Sequence, residues 1–195
     1  MGKVMKKGLS TKDIALGAIL TALVIVLQLV GQFIKFGPAS ISLVLIPIVI
    51  GSAICGPKIS TWLGFVFGVV VIFTDGMAFM AIHAVGTIVT VLLKGALCGL
   101  ASGLVYKLFE KKNVYLAVVL SAIACPLVNT GVFLLGCYIF FFDTIKEWGL
   151  SAGFTNVGEY MILGLVGINF LLELAVNVVL SPIIVRIINV RKNTK

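Results

Sequence analysis

With 195 residues, 61% of them apolar, a mean hydropathy of +1.22 and only 11% charged residues, the chain has too little polar surface for a soluble domain. Its formal net charge of +8 would suggest nucleic acid in a soluble protein. Here the bases fall in short gaps between apolar stretches, where anionic lipid and membrane topology account for them, and that placement argues against nucleic-acid binding.

The N-terminal bases Lys3, Lys6, Lys7 and Lys12 precede an apolar run, as in a signal peptide. The run Ile14 to Ile34 is too long for such a core and has no clear small-residue cleavage site, so it reads as a retained first span over 11–34. Ala18 and Ala22 form an AxxxA row on it, and Gln28 and Gln32 lie one turn apart near its far end. A second span over 41–55 and a third over 58–74 are short against the roughly 20 residues of a crossing helix. They are joined by Gly56-Pro57-Lys58, a strong breaker, so two short helices in a tight hairpin are expected, the first kinked at Pro47. A fourth span covers 79–107, a fifth 114–140 and a sixth 158–188.

Sidedness follows from the gaps. One alternating set holds Lys3, Lys6, Lys7, Lys12, Lys58, Lys107, Lys111, Lys112, Arg186, Arg191, Lys192 and Lys195. The other holds only Lys35 and Lys146 among Asp75, Asp143, Glu147 and Glu159. The bias places the first set, with both termini, in the cytoplasm. The expected architecture is an all-α integral membrane protein of the cell membrane, one transmembrane domain over 1–195 with six spans. Gly64 and Gly68 on the third span, and Gly95, Gly99 and Gly103 on the fourth, are GxxxG rows that let helix backbones approach, first of all within one bundle.

Lys94 interrupts an apolar run. A lysine near mid-bilayer costs about 2.5–3.5 kcal/mol on insertion scales, so it needs a partner or a wet cavity. At about 1.5 Å per residue, Lys94 and Glu173 both lie roughly 20 Å from the outer surface, with Asn129 and Asn169 near 16 Å. Asn177 is one turn beyond Glu173 on the same face. Two readings stand side by side: an ion pair that fixes helix register, or a pocket opening outward for a polar solute. The segment Phe140 to Tyr160 would close its mouth, rich in rings that include Trp148 and bendable at Gly149, Gly153 and Gly158. Lys35-Phe36-Gly37-Pro38 and Thr74-Asp75-Gly76 are further candidate closures. His83, the sole histidine, lies near the outer end of the fourth span and, with Gln32 and Trp148, completes the candidate binding set.

Enzymatic readings have little support. The sequence contains no GxxxxGK[ST], HExxH or GxSxG. Gly99-Leu-Ala-Ser102-Gly faintly resembles an intramembrane serine turn, but His83 is about five turns away on the same helix. Cys55, Cys98, Cys125 and Cys137 form no CxxC pair and cannot complete a zinc site with one histidine, so no metal or cofactor is expected.

In sum of these residues the chain resembles the substrate-binding S components of energy-coupling factor (ECF) vitamin transporters. The resemblance spans nearly the whole length. It rests on the six spans, the Ala18-Ile-Leu-Thr-Ala22 row, and the ordered set Ile41-Ser-Leu-Val-Leu-Ile-Pro47-Ile-Val-Ile-Gly51, Cys55-Gly-Pro57 and Leu63-Gly-Phe-Val-Phe-Gly68. It implies a high-affinity vitamin-binding subunit with an outward pocket walled by helices four to six. It further implies that Ala18 and Ala22 contact a transmembrane T component, which carries two cytoplasmic ATPases.

The fold does not name the ligand. A Lys94 free to meet a carboxylate favours pantothenate or another anionic precursor. A Lys94 neutralised by Glu173 favours a neutral ring such as riboflavin, stacked on the outer aromatics. The pantothenate-like ligand is preferred. The alternative function is a stand-alone secondary transporter or channel for a small polar solute, and a purely structural membrane protein is a third.

Overall fold

In lipid, backbone N–H and C=O groups must find partners inside their own segment, so uninterrupted apolar stretches become helices. The computed structural model describes residues 11–31, 33, 35–36, 39–40 and 42–193. In chain order they form α1 (Thr11–Gly31), the two-residue strands β1 (Lys35–Phe36) and β2 (Ala39–Ser40), α2 (Leu45–Cys55), α3 (Pro57–Ile72), α4 (Met77–Phe109), α5 (Val114–Phe140) and α6 (Phe142–Ser151). The last helical run begins as α7 (Val157–Glu159), passes through a π-helical stretch, Tyr160–Gly167, and continues as α8 (Ile168–Asn193). The strands pair antiparallel, Lys35 opposite Ser40.

Four of these segments are long and apolar enough to cross a membrane: α1, α4, α5 and the run Val157–Val190. The expected second and third spans fold as the 11-residue α2 and the 16-residue α3. The break between them lies at the expected Gly-Pro. Gly56 has φ +84°, a left-handed conformation natural to glycine, and Pro57 opens α3, where its missing N–H has no partner to lose. The α2 helix starts at Leu45 rather than at 41 because the preceding backbone is held elsewhere: Ser42 N–H donates to Glu173 on α8 at 2.8 Å.

The two GxxxG rows pack against each other. A methyl group on Gly64 would overlap the Gly95 carbonyl, one on Gly95 would overlap the Gly64 carbonyl, and Gly99 faces the Ser60 carbonyl in the same way. The rows are therefore an intrachain seam of α3 and α4. Gly95→Val would force this seam apart; we expect a lowered melting temperature in detergent, corresponding to at least about 1–3 kcal/mol of overpacking. Toward the end of the bundle that carries Gly56, buried Ser52, Ser102 and Ser121 bridge α2, α4 and α5, with Ser102 and Ser121 hydroxyls 2.8 Å apart and both bonded to Ser52.

Two apolar clusters result. One contains Val24, Leu45, Ile48, Leu63, Phe67, Val118 and Ile184; the other contains Phe79, Phe141, Ile145, Tyr160 and Leu165 near the opposite end. On α1, Gly17, Leu20, Val24 and Gln28 face inward while Ala18 and Ala22 are exposed. The expected flexible segment after α5 contains a helix, α6. Ile145 and Gly149 are its buried positions, and a Cβ on Gly149 would press on the Tyr160 ring at 3.2 Å.

Candidate ligand-binding cavity

A cavity lies where the two clusters meet, in the half of the bundle where α1 ends and α4 begins. It is partly open, and nineteen residues from α1, α3, α4, α5, the last helical run and the segments around Ser42, Asp75 and Phe141 line it. Phe67, Val71, Val91, Phe133 and Val166 give it apolar walls, and Lys94, Asn129, Asn169 and Glu173 all line it. The four polar residues that sequence depth aligned from three helices thus meet in one space.

The ammonium of Lys94 is held by rings. Its Nζ lies 5.2 Å from the centroids of both Phe67 and Phe133, which attract a cation through their negative faces. Among the described residues it makes no ion pair with Glu173 or any other carboxylate. The two acidic residues of the wall have protein donors instead. Glu173, 5% exposed, accepts from Ser42 N–H near the start of α2, where free backbone donors favour a carboxylate. Asp75 Oδ2 accepts from Gln28 Nε2 at 3.0 Å, and the same amide donates to Thr74 Oγ1 at 3.2 Å. An incoming carboxylate would find one ammonium with hydrogen-bonding capacity to offer.

Glu173 also explains how irregular backbone is tolerated so deep in the bundle: it lines a cavity and its donor is satisfied. Glu173→Leu would leave the Ser42 N–H buried and unpaired. A loss of about 1–3 kcal/mol is expected, read as a lower melting temperature of the ligand-free protein, whereas Glu173→Gln keeps an acceptor and remains close to the parent.

The other sequence candidates take supporting positions. Asn177 does not line the cavity; its Nδ2 donates to the Glu173 carbonyl at 2.8 Å, one turn away. Trp148 packs edge-on against Phe79 with ring centroids 5.6 Å apart, and Phe79, which does line the cavity, also meets Phe133 and Phe141 edge-on. His83 stands outside the lining. Its backbone (φ −149°, ψ 90°) interrupts α4, and its Nδ1 accepts from Gly86 N–H at 2.9 Å, capping the helix that resumes there. Gln32 lies outside the described residues.

Sequence reasoning had not placed Thr90, Phe67, Phe133 or Ser42 at the site. Thr90 was within reach of a sequence argument, since i and i+4 share a helix face and Lys94 is four residues on. Ser42 gave no signal, because its backbone rather than its side chain acts.

The sequence profile of the family described as "ECF transporter, substrate-specific component" matches residues 12–185. The chain belongs to this family. The pantothenic acid transporter PanT of Lactococcus lactis subsp. cremoris (strain MG1363) is 29% identical over 208 aligned residues, covering 97% of this chain and 99% of its own length. No solved structure matches the chain significantly. As a substrate-specific component, it is a multi-pass membrane protein of a vitamin-uptake system, and its task is to bind a small molecule rather than to transform one. A ring-held lysine in a cavity of apolar walls and a few polar groups suits that task.

Proposed function

We propose that this chain is the high-affinity substrate-binding subunit of an ATP-driven ECF importer, and that its ligand is pantothenate or a closely similar carboxylate. The observation that carries the reading is Lys94: an ammonium at membrane depth, caged by Phe67 and Phe133, with both acidic neighbours engaged by other donors. A neutral ring stacked beside a Lys94–Glu173 pair has less support, because the pair is not in contact. The similarity to a pantothenic acid transporter points the same way.

In this reading Lys94 receives the ligand carboxylate, while Asn129, Asn169 and Glu173 shape the polar wall. Trp148, His83 and Asn177 hold elements around them, and Gln32 remains a candidate ligand contact from the first span. The α2–α3 hairpin completes six crossings, both termini are cytoplasmic as the distribution of bases favours, and the cavity opens outward. The exposed Ala18 and Ala22 face of α1 receives a transmembrane T component, and two cytoplasmic ATPases supply the energy. Uptake of labelled pantothenate into proteoliposomes tests the division of labour. Transport only when the T component and ATPases are co-reconstituted with ATP supports it; transport by the chain alone would make it a stand-alone carrier.

A further inference from the structure

Threonines in apolar helices commonly return their hydroxyl to the carbonyl one turn back. Thr21, Thr61, Thr74 and Thr87 all do so here, at 2.7 to 3.1 Å. Thr90 does not. Its Oγ1 is buried, the residue is 5% exposed, and among the described residues the hydroxyl has no partner. Asn129 Oδ1 on α5 is in the same condition at 4% exposure. Both residues line the cavity, whereas among the described residues the buried hydroxyls of Ser52, Ser60, Thr87, Ser102, Ser121 and Ser181 are bonded.

Local packing makes room for this arrangement. Gly136 on α5 lies against the Thr90 side chain, and a Cβ there would overlap it. Thr90 also lies one turn from Lys94 on α4, which separates the two side-chain origins by about 6 Å. Buried polar atoms without partners are costly and uncommon, and in a ligand cavity the missing partner is most simply the ligand.

Resting on the carboxylate reading above, we propose that Thr90 and Asn129 are two separate ligand contacts flanking the carboxylate site: Asn129 on α5, across from Lys94, and Thr90 on α4, one helical turn from Lys94 and beside Gly136. An amide oxygen can only accept, so the ligand must bring a hydroxyl or an N–H to Asn129, while a second polar group of the ligand meets the Thr90 hydroxyl. The substrate class is therefore a hydroxy- or amido-carboxylate rather than a plain carboxylic acid. Gly136 acts as a positioning residue that lets Thr90 lie between α4 and α5.

The test measures two quantities on the full-length purified chain and its Thr90→Val, Asn129→Leu and Thr90→Ser variants: the pantothenate dissociation constant by calorimetry, and the melting temperature without ligand. Thr90→Val and Asn129→Leu should each weaken pantothenate about tenfold or more. Their ligand-free melting temperatures should hold or rise, because each removes a polar atom that has no partner. Thr90→Ser, which keeps the hydroxyl, should bind within about threefold of the parent. Unchanged affinity in Thr90→Val and Asn129→Leu overturns the two contacts. So does a fall in ligand-free melting temperature that accompanies any affinity loss, since that marks structural groups. If the parent ignores pantothenate, the ligand assignment fails instead, and the melting temperatures still decide whether these two groups serve the fold.

Discussion

Replacing Lys94 by methionine is expected to weaken pantothenate binding by about 2–5 kcal/mol, roughly thirty- to several-thousand-fold, while leaving the ligand-free protein at least as stable as the parent. The two halves of this expectation have separate causes. A ligand carboxylate brought into the cavity loses its hydration, and without the ammonium no other cation in the lining replaces it. The ligand-free protein, by contrast, loses a charge whose cost of about 2.5–3.5 kcal/mol roughly cancels two ring contacts worth about 2 kcal/mol each when desolvated, and it gains thioether–ring contacts worth about 0.3–1.5 kcal/mol each. Methionine fills a similar volume and is compatible with Phe67 and Phe133. Calorimetry with pantothenate and with its alcohol analogue pantothenol, which has no carboxylate, separates charge recognition from shape. The variant should lose the preference for the acid and treat both ligands alike. A variant that unfolds would instead mark Lys94 as a structural charge.

Substituting Ala18 and Ala22 together by leucine should have the opposite profile. Both residues are exposed on α1, on the face away from Leu20, Val24 and Gln28. Neither lines the cavity. Binding of pantothenate should stay within about twofold of the parent. Uptake by cells carrying the complete importer should fall to roughly a tenth or less, because small residues permit the close backbone approach on which helix docking in lipid depends. Co-purification of the T component should fall in parallel. Normal uptake in the double variant would place the docking surface on another face.

The helices and the site were legible in the sequence to different depths. Charge gaps and breakers marked the stretches that form α1 to α5 and the last helical run, since lipid leaves an apolar stretch almost no other fold. The GxxxG rows announced the α3–α4 seam because close packing there has only small residues to work with. Equal spacing from the membrane surface was enough to bring Lys94, Asn129, Asn169 and Glu173 to one level.

What escaped notice depends on contacts between segments distant in sequence. The Ser42 N–H that engages Glu173 is backbone, so no residue type signals it. The aromatic cage of Lys94 comes from α3 and α5, whose phenylalanines look like any others in an apolar run. The break at His83 is made by a cap to Gly86, and the π-helical stretch Tyr160–Gly167 shifts the facing of the residues after it; neither has a Pro or Gly-Pro marker of the kind that exposed the hinge at Gly56. The helix α6 was hidden for a related reason. Its glycines suggested a loose segment, whereas Gly149 serves to admit the Tyr160 ring.

Native mass spectrometry of the purified chain, released gently from detergent, bears most directly on the central claim that this is a binding subunit with its site at Lys94. We expect a population carrying one extra mass, that of a small carboxylate vitamin or precursor, which disappears in Lys94→Met. A chain that carries no ligand, and that gains none on addition of pantothenate or any other water-soluble vitamin, would contradict it.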